Sequence, residues 1–89
     1  MRFTVLLAFA AVLPGCFFEE EWMAFVYPNA NDLSVHIELG PFRNFAECQA
    51  AAIGNLRGKG LAKTGDYECG LDCEYDPDWQ ASICAETRK

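Results

Sequence analysis

Basic residues are scarce in this chain, histidine occurs once, and no apolar run is long enough to cross a membrane. Seven Lys and Arg stand against thirteen Asp and Glu, for a formal charge of −6. A general nucleic-acid binder needs cationic surface to displace counterions from phosphates, so that class is excluded. The longest uninterrupted apolar stretch, Phe3 to Leu13, has 11 residues, where a spanning helix needs about 20. Extended to Phe18 it reaches 16 residues but is broken by Pro14-Gly15. No internal repeat and no low-complexity stretch divides the sequence. Its 89 residues leave room for one small domain.

What is present begins with an export signal. Met1-Arg2 is a minimal positive start, and Phe3 to Leu13 has the length of a signal peptide's apolar core. Residues 1–15 are therefore expected to be a lipoprotein signal peptide. The run leads into Leu13-Pro14-Gly15-Cys16, which resembles the bacterial lipobox, with an aliphatic residue three before the cysteine and a small one just before it. Pro14 departs from the small or aliphatic residue usual between them. The resemblance implies diacylglyceryl transfer to the Cys16 sulfur, cleavage after Gly15 and acylation of the new amino terminus. The ordinary cleavage alternative, Ala8-Phe9-Ala10, would leave an apolar core of only about six residues, below the usual length.

Cysteine arithmetic leads the same way. Five cysteines in an exported chain leave one odd thiol in an oxidising compartment. Lipid on Cys16 leaves an even four: Cys48, Cys69, Cys73 and Cys84. Several acyl chains together anchor a protein firmly where one does not. Phe17 stands where an aspartate retains lipoproteins in the inner membrane of enteric bacteria. The expected address is therefore the outer membrane of a bacterial cell envelope, facing the periplasm or the cell surface.

Cleavage after Gly15 leaves 74 residues, with 6 Lys and Arg against 13 Asp and Glu. Residues 16–21 form a lipidated cysteine and short tether, spanning at most about 20 Å when extended. Residues 22–89 form a small domain that leans on disulfides for stability. Trp22 to Tyr27 (WMAFVY) is a β-prone apolar run stopped by Pro28 and the turn formers after it. Leu33 to Leu39 alternates apolar and polar residues, as a half-buried strand does, and Gly40-Pro41 ends it. Asn44 to Arg57 reads as a helix, with Asn44 and Glu47 as a capping box and Phe45, Cys48, Ala52 and Leu56 on one stripe. Tyr67 to Tyr75 and Ala81 to Glu86 read as two strands around the turn Asp76-Pro77-Asp78. The expected fold is α+β in the order β-β-α-β-β, one helix on a short antiparallel sheet.

Of three possible pairings for four cysteines, the strand register favours Cys48–Cys69 with Cys73–Cys84. Cys73 and Cys84 are equidistant from a turn centred between residues 78 and 79, which leaves Cys48 on the helix stripe for Cys69 on the strand beneath. Both bridges require Cα separations of about 4.4–6.8 Å. The phrase Gly65-Asp66-Tyr67-Glu68-Cys69-Gly70-Leu71-Asp72-Cys73, followed by Ile83-Cys84-Ala85-Glu86-Thr87, is similar to a motif in small uncharacterised bacterial envelope lipoproteins. Val26-Tyr27-Pro28, Leu39-Gly40-Pro41-Phe42 and Cys48 resemble the same group. The resemblance implies class and address, and no particular activity.

Several motifs point to chemistry more weakly than to structure. Cys69 and Cys73 have three residues between them, acidic neighbours that would raise a thiol pKa, and a strand context, unlike a redox pair at a helix start. The four cysteines match a zinc site in number, but export disfavours free thiolates. Asp72, Glu74, Asp76 and Asp78 alternate like the early ligands of a calcium loop, yet Pro77 and Ile83 occupy the positions that want glycine and glutamate. A solvated acidic turn is the stronger reading. His36 beside Glu38 could act as a base, but the sequence places no nucleophile to complete a site. An exposed strand histidine is expected. Arg57, Lys59 and Lys63 could meet lipopolysaccharide phosphate or an acidic partner, but favourable charge at a helix C-terminus accounts for them. The reading that results is an envelope lipoprotein acting as a binding or structural component. It has no catalytic residues, metal or cofactor, no nucleic-acid partner, and no small-molecule substrate that the sequence identifies. Its partners are the membrane, through lipid on Cys16, and an envelope protein. The alternatives are a small secreted inhibitor or ligand-binding module released from the membrane, and a hydrolase using His36.

Overall fold

The computed structural model describes residues 20–89. The signal 1–15, Cys16 and the tether residues up to Glu19 lie outside the described residues. Seven elements follow in order: β1 (Trp22–Tyr27), β2 (Ile37–Phe42), α1 (Phe45–Gly58), β3 (Asp66–Leu71), β4 (Glu74–Asp76), β5 (Ala81–Ile83) and β6 (Glu86–Arg88). β1 is paired antiparallel on both sides, in a four-stranded sheet ordered β2-β1-β3-β6, while β4 and β5 form a separate hairpin. The α+β architecture, with one helix on an antiparallel sheet, is the one the sequence led us to expect.

α1 forms because its ends are satisfied and one stripe is apolar. Asn44 has extended backbone angles and its Oδ1 accepts the Glu47 N–H at 2.9 Å. At the other end Gly60 takes φ +71, and the Gly60 and Leu61 amides donate back to the Arg57 and Leu56 carbonyls at 3.1 and 2.8 Å. The stripe Cys48, Ala52 and Leu56 is buried against Trp22, Ala24, Val26 and Cys69. Phe45 packs edge-on to Trp22, with ring centroids 5.5 Å apart. The Cys48–Cys69 bridge runs through this core and ties the helix to β3, with Cα atoms 6.2 Å apart.

The pairing of Cys73 with Cys84 follows from hairpin register, in which Glu74 opposes Ile83 and Asp76 opposes Ala81. Their Cα atoms are 3.9 Å apart, closer than the range expected. This second bridge lies on the sheet face away from the helix. A Cβ at Gly70 would meet the sulfurs of both Cys73 and Cys84 at 2.5 Å, so only glycine lets the bridge rest there.

Three expectations need correction. The strand predicted over Leu33–Leu39 begins only at Ile37, because Asp32 Oδ1 accepts both the amide and the hydroxyl of Ser34, at 3.2 and 2.5 Å, and turns the chain. Leu33 and Val35 are consequently exposed. Gly40-Pro41 does not end β2 but lies within it, at an irregularity between the Ala24↔Leu39 and Trp22↔Phe42 pairs. β2 is an edge strand, where proline is tolerated, and Gly40 adopts φ +124 with the Trp22 carbonyl 3.1 Å from where a Cβ would be. The two C-terminal strands each divide. Asp72 turns at φ 50 while its amide donates to the Glu21 carbonyl at 2.8 Å, separating β3 from β4, and β6 returns to pair with β3 rather than β4.

Two stability tests follow from this packing. Cys84→Ser exposes Cys73 as a free thiol by titration and lowers the unfolding free energy by about 2–5 kcal/mol in denaturant melts. The second compares two glycines. Gly54 has nothing within 4 Å of a Cβ and sits inside α1, so Gly54→Ala stabilises by about 0.5–1 kcal/mol. Gly70→Ala strikes the Cys73–Cys84 bridge and lowers the melting temperature; equal or higher melting would overturn this account of its packing.

Candidate functional site

Alternation along the strands divides the sheet into two faces. Trp22, Ala24 and Val26 point to the helix, so Phe25 and Tyr27 point away from it. The registers Phe25↔Glu38 and Phe25↔Glu68 set Glu38 on β2, Phe25 on β1 and Glu68 on β3 in one row across the outer face. The β4–β5 hairpin and the 33–36 turn rise at the sides of this row. Between them lies an open cleft of about 520 Å³. Phe25 is 7% exposed and forms its floor. Tyr75 and Ser82 line it from the hairpin, and Leu33 and His36 from the turn.

Two polar contacts organise the cleft. The Tyr27 hydroxyl donates to Glu68 Oε1 at 2.7 Å. Burial first, then this hydrogen bond and the negative charges of Glu68 and Asp66, push the Tyr27 phenol well above its ordinary pKa. His36 Nε2 lies 3.4 Å from Glu38 Oε2, and its ring sits 5.9 Å from Phe25 and 6.0 Å from Tyr27 between centroids. His36 therefore precedes β2 rather than standing on it, and is drawn against two aromatic rings while remaining accessible.

The structure brings together residues that the sequence left separate. His36, Glu38 and Glu68 share this cleft with Ser34 and Ser82. The Ser34 hydroxyl, however, is bonded to Asp32, and no side-chain hydroxyl hydrogen-bonds to His36 among the described residues. The cleft thus sets the carboxylates of Glu38 and Glu68 beside aromatic rings.

The other candidates are spread out. Cys48, Cys69, Cys73 and Cys84 are disulfide-bonded. In the acidic segment, Asp72 Oδ1 accepts the Glu21 amide at 3.2 Å and Asp76 Oδ1 accepts the Asp78 amide at 2.9 Å. Among the described residues no three His, Cys, Asp or Glu converge on a metal-sized site. Arg57 and Lys59 are exposed at the end of α1, and Lys63 in the loop beyond. Arg88 was not singled out by the sequence, yet its guanidinium lies 5.3 Å from the Trp22 ring centroid and 5.6 Å from that of Phe45. Among the described residues no helix is long and apolar enough to cross a membrane. No family model, curated protein or solved structure matches the chain.

The Tyr27–Glu68 pair yields a pH test. A group whose folded pKa is raised contributes stability below its unfolded value, about 10 for tyrosine, and loses it as pH rises through the folded value. Tyr27→Phe should cost about 1 kcal/mol near neutrality. The gap should narrow above about pH 10, when the unfolded wild-type chain ionises Tyr27 first. Denaturant melts of both proteins across that range measure it, and a gap that widens instead contradicts the assignment.

Proposed function

We propose that the chain is a bacterial envelope lipoprotein, anchored through lipid on Cys16, whose domain serves as a binding or structural component and not as an enzyme. The observation that carries the anchoring is cysteine accounting. Two bridges consume all four cysteines of the domain, the even set that remains if Cys16 is lipidated. The bridges also favour an oxidising compartment outside the cytoplasm, which agrees with the signal-like residues 1–15 and the lipobox-like Leu13-Pro14-Gly15-Cys16. The cleft supports the binding role. It is concave, aromatic and acidic, and its size is that of small-molecule sites, roughly 300–1,000 Å³.

The last two residues of the expected tether, 16–21, lie against the domain. The Trp22 indole N–H donates to Glu20 Oε1 at 2.9 Å, and Glu21 pairs through its backbone with Asp72. Glu20 and Glu21 are thereby held to the folded domain.

Cys16→Ser tests the anchor. The substitution should abolish incorporation of labelled fatty acid and either release the domain from the membrane fraction or leave an unprocessed precursor. If the mutant is cleaved and sediments with membranes like the wild type, the lipid reading is wrong. Release of the wild-type domain in soluble form would favour the secreted alternative.

A further inference from the structure

We propose that the cleft on the outer face of the sheet binds a small aliphatic diamine, with one ammonium group held at Glu38, the other at Glu68, and the hydrocarbon between them over Phe25. This deepens the binding reading above and rests on it. The argument starts from the row Glu38–Phe25–Glu68. Neighbouring strands lie about 4.8 Å apart, so two steps place the glutamate Cα atoms about 10 Å from each other with an aromatic ring midway. Two negative ends and an apolar centre are the complement of a molecule with two positive ends and an apolar centre.

Among the described residues no Lys or Arg lines the cleft. Glu68 has no ion-pair partner among the described residues, and Glu38 has only His36, charged when protonated. Lys89, whose charge Glu68 also feels, is held by Asp66 at 2.7 Å. The glutamate at one end is positioned beforehand, because the Tyr27 hydroxyl fixes one oxygen of Glu68 and leaves the other for a ligand. Aromatic rings at the floor and walls favour a cation over a neutral molecule of the same shape, since their faces carry negative potential. Tyr75, 64% exposed on the hairpin, adds a ring that costs little to desolvate.

The test is titration of the full chain in neutral detergent micelles with diaminobutane, butylamine and butanediol, followed by calorimetry and by amide and side-chain NMR. The diamine should bind more tightly than the monoamine, the diol should not bind, and shifts should centre on Phe25, Glu38 and Glu68. Glu68→Gln keeps an acceptor for Tyr27 and removes only charge; Glu38→Gln alters an exposed side chain. Each should weaken diamine binding about three- to tenfold. Equal affinity for diol and diamine would overturn the diamine proposal and leave a binding site of another class. Unchanged diamine affinity in both variants would overturn it as well. If none of the three probes binds at millimolar concentration, this inference fails and the binding role of the cleft loses its support with it.

Discussion

The domain depends on the packing of one helix against the middle of the sheet, and the Cys48–Cys69 bridge lies at the centre of that contact. Both cysteines are fully buried, between Trp22, Ala24 and Val26 on β1 and Ala52 and Leu56 on α1. The buried hydrophobic set among the described residues numbers eight, and two of these are the bridged cysteines. A core that small leaves little margin against chain entropy. A covalent link across 21 positions of sequence reduces the entropy of the unfolded chain, by about 3 kcal/mol in the loop-closure picture. With the helix fixed, β1 is covered on one face and its partners fall into register on either side.

The opposite face is shaped by a different device. After β3 the chain turns at Asp72, leaves the sheet as the β4–β5 hairpin, and returns as β6. The Cys73–Cys84 bridge closes the hairpin at its base, and Gly70 lets that bridge lie directly on the sheet. The hairpin thereby stands beside the outer face instead of extending it, and a cleft results where a flat sheet would otherwise meet water. Phe25 is buried because of this arrangement, although no helix among the described residues covers its side of the sheet. The same geometry keeps the β1–β3 carboxylate and phenol, Glu68 and Tyr27, partly withdrawn from solvent.

Much of the helix face was legible in the sequence, because it is written in local signals. Asn44 with Glu47 marks a helix start, and the spacing of Cys48, Ala52 and Leu56 marks its buried stripe. On the outer face the Cys73–Cys84 pairing was legible from equal distance to a turn, but the rest was not, because it is made by segments remote in sequence. Leu33 and Val35 alternate like a strand, but Asp32 captures Ser34 before pairing begins. Tyr67–Tyr75 reads as one strand, yet Asp72 pairs with Glu21, a contact across 51 positions that no local pattern announces. One signal did point to the cleft. WMAFVY is apolar at consecutive positions, and a strand without alternation is covered on both faces. His36 and Glu38 meet Glu68 only through the order β2-β1-β3, which their own neighbourhood in sequence does not contain.

Under the proposed anchoring, the path of the chain also bears on access to the cleft. Glu20 and Glu21 are held to the domain, and an extended tether of residues 16–21 would span at most about 20 Å. Such a short tether would hold most domains against the bilayer. Here the chain after Gly15 carries 13 acidic against 6 basic side chains. An anionic membrane surface repels such a domain within a Debye length, about 8 Å at physiological ionic strength. In an anchored chain, tether and repulsion would act in opposite directions, keeping the domain near the membrane without pressing it flat. The same acidity that argues against nucleic acid as a partner is present at Glu38 and Glu68, beside aromatic rings. Under the diamine proposal, that general property of the surface becomes a local preference for cations.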